Sequence, residues 1–166
     1  MKAALLQMVS TTDVATNLDA AERLLAQAAQ AGAELAVLPE YFCLLGQHDT
    51  DKLAIAEAFG DGPMQQRLAA MAKAYGVCLV AGTLPIAVPG DSSHVRNTTL
   101  VYSAQGHCVA RYDKIHLFYF AIVGQQFNVF RTHLVVARPD DRIAKHLNNG
   151  VIFRINHRVS STLHVA

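Results

Sequence analysis

The chain has 166 residues, 52% hydrophobic and 16% charged, with a mean hydropathy of +0.21; this is one-domain length with ample apolar material for a core, which excludes a disordered or collagen-like chain. A formal net charge of +1 supplies no electrostatic drive toward nucleic acid or an anionic membrane. The average hides an asymmetry, because residues 1–118 carry 8 basic and 11 acidic side chains, whereas 119–166 carry 6 and 2 together with four of the eight histidines.

The run Ala3 to Val9 is apolar, short and bounded by Ser10-Thr11-Thr12-Asp13. Gln7 interrupts it and no small-residue cleavage site follows, so it reads as a first strand and not as a secretory leader. From Asn17 to Ala31 the residues Leu18, Ala21, Leu24, Leu25, Ala28 and Ala29 recur at helical spacing, and Gly32 closes that helix. Leu35 to Leu38 is a second short strand stopped by Pro39, and this connection length implies a parallel β–α–β pair. After a loop through Tyr41 to Asp51, Asp61-Gly62-Pro63 opens a second helix, with Met64, Leu68 and Met71 on one face and Gly76 at its end. Val77 to Thr83 is a third apolar strand. The opening part therefore reads β–α–β–α–β in an α/β layered fold with both sheet faces covered.

Pro85 to Ser93 reads as a turn-rich excursion, followed by a hairpin of Thr98 to Tyr102 and Cys108 to Tyr112 around Gln105-Gly106. Beyond Tyr119 the pattern weakens: Leu134 to Ala137 and Val151 to Ile155 are candidate strands, and Asn148-Asn149-Gly150 a turn. The longest apolar stretches, Val77 to Val88 and Leu117 to Val123, fall short of the roughly 20 residues that span a bilayer. No nucleic acid, membrane, metal or cofactor is expected. Cys43, Cys78 and Cys108 are odd in number, widely spaced and without a CxxC pair, which points to a reducing, cytoplasmic compartment. Cys78 and Cys108, within or beginning strands, read as small buried hydrophobes. His107, Cys108 and His116 have no metal-ligand spacing.

Two charged residues follow strands. Glu40 lies just past the second strand, and open α/β sheets place ligand-binding groups at such carboxyl ends; a solvated loop carboxylate or a helix cap fits that position too. Lys114 follows the hairpin amid aromatic residues, where an ammonium can stabilise an oxyanion or simply be solvated.

Read together, Leu38-Pro39-Glu40-Tyr41-Phe42 and Tyr112-Asp113-Lys114-Ile115-His116-Leu117-Phe118 resemble the two leading signatures of the nitrilase, or carbon–nitrogen hydrolase, superfamily. The segment Asn97-Thr98-Thr99-Leu100-Val101-Tyr102, with Gly106, Ala110, Arg111 and Tyr112, resembles the strand–turn–strand that leads to its lysine. The resemblance covers about residues 1–118. It implies an α–β–β–α sandwich, usually a homo-oligomer, that hydrolyses a small-molecule amide or nitrile through a Glu–Lys–Cys triad without a cofactor. By resemblance Glu40 is the general base and Lys114 the oxyanion-stabilising cation, in the amidase-like branch of ω-amidase or deaminated-glutathione-amidase type.

The chain departs from that pattern after Lys114. No cysteine follows Cys108, and Gln125-Gln126-Phe127-Asn128-Val129 holds none of the acidic residues expected there. Cys43 is too near Glu40 on one loop to stand in for a thiol presented by a separate strand. The expected organisation is thus residues 1–118 as the N-terminal part of a carbon–nitrogen hydrolase domain and 119–166 as a divergent or frame-shifted tail. As written, the truncated pattern predicts no amide hydrolysis. The alternative is a non-catalytic binding or interaction module derived from the same fold.

Overall fold

In a computed structural model, residues 1–48 and 50–115 are described in full, together with the backbone of 135–136 and 164–165. Among the described residues, eight strands form one mixed sheet: β1 (Ala3–Leu5), β2 (Leu35–Val37), β3 (Cys78–Val80), β4 (Leu84–Val88), β5 (Asp91–Tyr102), β6 (Cys108–Asp113), β7 (Val135–Val136) and β8 (His164–Val165). Their order is β7-β6-β5-β3-β2-β1-β8, with β4 paired to β5 off that path. β1, β2 and β3 are parallel neighbours, as the crossover lengths predict. β5 and β6 form the antiparallel hairpin.

Helix α1 (Val14–Gln30) begins where the side chain of Asp13 accepts the Thr16 N–H at 2.7 Å, satisfying one of the donors that a helix start leaves open. Its stripe Leu18, Ala21, Leu25 and Ala28 is buried. A short α2 (Asp51–Ala54) interrupts the long loop. Helix α3 (Pro63–Tyr75) has Pro63 in its first turn and ends on left-handed Gly76. The start of α3 rests on Glu57, buried and accepting from the backbone N–H groups of Met64 and Gln65 at 2.6 and 3.1 Å and from Gln65 Nε2 at 3.1 Å.

Both long helices pack on the same sheet face, where Ala4, Ala36, Leu79 and Leu100 join Leu25, Leu68 and Met71 in the main core. Arg67 on α3 bridges the helices by pairing with Asp19 and Glu22 on α1. Among the described residues, the helical cover thus lies on one of the two sheet faces that the sequence reads as covered. The other face is nonetheless apolar, with Cys78, Val101 and Ala110 clustered beside Leu35, Val80 and Val109. Two-sided hydrophobicity of the strands is therefore real, although among the described residues only one side has a helical cover.

One correction concerns the stretch read as turn-rich. Pro85 to Ser93 belongs instead to a hairpin of β4 and β5 that turns at Pro89-Gly90. Pro85 obscures the strand because it cannot donate to a ladder. Among the described residues β4 has one neighbouring strand, and the opposite side of Pro85 accepts the Glu57 N–H through its carbonyl at 3.3 Å. Of the tail, β7 falls within the candidate strand Leu134 to Ala137, while Val151 to Ile155 and the Asn148-Asn149-Gly150 turn lie outside the described residues. Among the described residues, no helix is long and apolar enough to cross a membrane.

Candidate functional site

The chain reverses sharply after β2, and two contacts explain where Glu40 lands. Leu38 continues the sheet by donating its N–H to the Val80 carbonyl at 2.9 Å. Beyond it, the backbone of Pro39 lies against Gly82, where any Cβ would sit 2.0 Å from the Pro39 carbonyl oxygen, and Gly82 also has φ +50. Only glycine meets both conditions. Tyr41, directly after Glu40, takes φ 48, an uncommon conformation for a residue with a side chain. The hydroxyl of Thr83 accepts the Tyr41 N–H at 2.8 Å.

The rest of this loop is tied down from the other side. Ser10 donates to the Phe42 carbonyl at 2.8 Å, and Asn17 Nδ2 donates to the carbonyls of Cys43 and Thr11, each at 2.9 Å. Asn17 Oδ1 in turn accepts from the N–H and hydroxyl of Thr11. Phe42 is fully buried beneath the turn. Glu40 therefore projects from a backbone clamped by the β1–α1 and β3–β4 connections, which limits the freedom of its carboxylate.

Lys114 reaches the same place from the end of β6. Its Nζ lies 2.5 Å from Glu40 Oε1, and both side chains are about one-fifth exposed, at 23% and 22%. Asn97 on β5 donates from Nδ2 to that same oxygen at 2.8 Å. The two charged residues singled out in the sequence thus meet although 74 positions separate them. Next to Lys114, Asp113 is held away from Glu40's role by its own partners: it accepts from Arg111 at 2.9 and 3.0 Å and from the Thr98 hydroxyl at 2.7 Å. Chemically, a carboxylate and an ammonium in contact, partly shielded from water, can share or pass a proton and stabilise a negative oxygen.

The cysteines do not join this pair as nucleophiles. Cys43 is fully buried with its thiol directed at the Thr83 carbonyl, 3.9 Å away, and burial pushes that thiol up to about 12. Cys78 is buried as expected. Cys108 corrects the expectation of a buried hydrophobe: it is exposed, because it opens β6 beside the irregular pairing opposite Tyr102. His116 lies outside the described residues. Sequence reading did not single out Asn97, Gly82, Thr83 or Asn17. Asn97 was visible only as part of the strand leading to the lysine, and none of the four carries a local pattern that announces a long-range contact.

A sheet whose strand ends gather a carboxylate and an ammonium has the layout of an α/β domain with its site at the carboxyl edge. The chain belongs to the carbon-nitrogen hydrolase family, whose sequence model matches residues 2–143, a span extending past Phe118. It is 40% identical over 116 residues to a deaminated glutathione amidase from Synechocystis sp. (strain PCC 6803), covering 70% of this chain and 42% of that protein. It is 31% identical over 121 residues to the omega-amidase NIT2 of Xenopus tropicalis, covering 73% and 42%. Among solved structures it is similar to the C. elegans NitFhit protein, with TM-score 0.67, 28% identity and coverage of 77% of this chain and 31% of that one. An amidase from Nesterenkonia sp. gives TM-score 0.60, 26% identity and coverage of 76% and 49%. The chain spans about two-fifths of the length of these curated relatives.

Proposed function

We propose that residues 1–118 are the N-terminal part of an amidase of the ω-amidase or deaminated-glutathione-amidase type, contributing Glu40 as general base and Lys114 as oxyanion stabiliser. The observation that carries this reading is the 2.5 Å contact between Glu40 Oε1 and Lys114 Nζ at the ends of two strands. The names of the amidase relatives and the family's residue types favour a small-molecule amide as substrate.

The chemistry assigns each group one task. A cysteine thiol gives its proton to the Glu40 carboxylate and attacks the amide carbon. The resulting oxyanion is met by the Lys114 ammonium, and collapse expels ammonia with the proton returned from Glu40. Water then attacks the thioester, with Glu40 as base, releasing the acid and restoring the thiol. A Glu-to-Gln mutant of the Nesterenkonia amidase shows Michael addition of acrylamide at its active site cysteine. In this chain no cysteine follows Cys108, and Cys43 is buried and protonated, so the 166 residues alone hold the base and the cation without the nucleophile.

Grafting residues 1–115 in place of the aligned part of the Synechocystis amidase tests the assignment. The chimaera should release ammonia from small amides, and Glu40→Gln or Lys114→Ala should each lower kcat by about 100-fold or more. Full activity of either variant would overturn the assigned role. The 166-residue chain alone should release no more ammonia than its Glu40→Gln variant, and turnover above that control would overturn the claim that it lacks a nucleophile.

A further inference from the structure

One residue touches both members of the charged pair. Asn97, only 2% exposed, donates from Nδ2 to Glu40 Oε1 at 2.8 Å, while its backbone carbonyl accepts the Lys114 N–H at 2.9 Å. Lys114 Nζ approaches the same Oε1 at 2.5 Å. An ionised carboxylate offers only acceptors, so Asn97 must turn its NH₂ end toward Glu40. That choice has a consequence: Asn97 Oδ1 is buried and has no hydrogen-bond partner among the described residues.

A buried acceptor without a donor destabilises the fold. Leucine has a similar shape and would avoid the penalty, so packing alone does not account for an amide here. We propose that Asn97 is a positioning residue for the Glu40–Lys114 pair. Its side chain fixes the oxygen on which the lysine also converges, and its main chain fixes the start of the segment that carries the lysine. Two donors on one oxygen hold the carboxylate plane in one orientation, which sets the direction of proton transfer. The proposal rests on Glu40 acting as the base.

The test uses the full 166-residue chain with ¹³C-labelled glutamate carboxyls, comparing wild type with Asn97→Leu and the smaller Asn97→Ala, neither of which carries a side-chain donor. Both substitutions remove the donor but retain the backbone carbonyl, so hydrogen-exchange protection of the Lys114 amide reports whether the strands remain paired. Among the described residues, Lys114 is the charged group paired with Glu40, and it is unchanged throughout. The expected result is a titration midpoint for Glu40 raised by about one pH unit in both variants, because a donor to the ionised form is lost. The Lys114 amide should stay protected, and the Tm of Asn97→Leu should be equal to or above that of wild type. An unchanged Glu40 midpoint overturns the proposal, and so does loss of Lys114 protection, which would assign Asn97 to strand pairing. Failure of the base assignment reads differently: the Glu40→Gln chimaera would stay active whatever the midpoint does.

Discussion

Cys43 lies three residues from Glu40, yet proximity in sequence does not make it reactive. Its sulfur is sealed from solvent beneath the turn, and burial raises the thiol to about 12. Since only the thiolate is nucleophilic, about one molecule in ten thousand is poised to react at pH 8. Cys108 is exposed at the start of β6, although partial burial of its sulfur also raises its thiol. Native iodoacetamide labelling at pH 8 with peptide mapping should therefore modify Cys108 at least about tenfold faster than Cys43. The sign of the pH dependence is fixed as well: labelling of Cys43 should accelerate about tenfold for each unit of rising pH until the fold opens or the pH nears 12. Comparable labelling of Cys43 and Cys108 at pH 8 would contradict the sealed environment. At the same scale, Glu40 and Lys114 were legible because each follows a strand within a distinctive motif. Asn97 was not, since an asparagine inside a strand announces nothing until the residue across the sheet is known.

At the scale of elements, the turn after β2 is the part on which the site depends. It packs backbone on backbone, with Pro39 against Gly82, and it holds Tyr41 at φ 48. Gly82→Ala would need a Cβ 2.0 Å from the Pro39 carbonyl oxygen at φ +50, so the β2 turn or the β3–β4 connection must move. The expected loss is about 2–4 kcal/mol in urea unfolding, and the Lys114 amide should exchange faster if the displacement reaches Glu40. A neutral Gly82→Ala would show that the close approach does not constrain the turn. The elements themselves were largely legible. Three- and four-residue spacing located α1 and α3, with Pro63 marking the start of α3, although α1 begins before the expected Asn17, at Val14 behind its Asp13 cap, and short apolar runs located the parallel strands. What defeated local reading was β4, because Pro85 looks like an interruption until its edge position and its acceptance from Glu57 are seen. The buried supports Glu57 and Asn17 were equally hidden. Each serves donors or acceptors that the chain brings near only after the crossovers form.

At the scale of the molecule, the unresolved balance is between the two sides of the sheet. Leu5, Val37, Val80, Val101 and Ala110 align across four strand pairings into one apolar row, on the face opposite α1 and α3. Leu5, at one end of the row, is 58% exposed, whereas Val101 and Ala110 are buried. In the α–β–β–α sandwich that the family resemblance implies, a second sheet covers such a face. Apolar side chains left in water at the Leu5 end favour association, because burying them releases the same free energy that folds the core. The 166-residue chain should therefore bind a hydrophobic dye and elute with a light-scattering mass that is a multiple of 18.0 kDa. Leu5→Lys places a charge at the exposed end of the row without touching the α1–α3 core, so it should lower that mass toward the monomer while leaving the Tm within a few degrees of wild type. Two results would refute this account: a wild-type chain that is monomeric and unfolds in one cooperative transition, or a Leu5→Lys variant that collapses in stability, which would mean that the row is packed against its own chain.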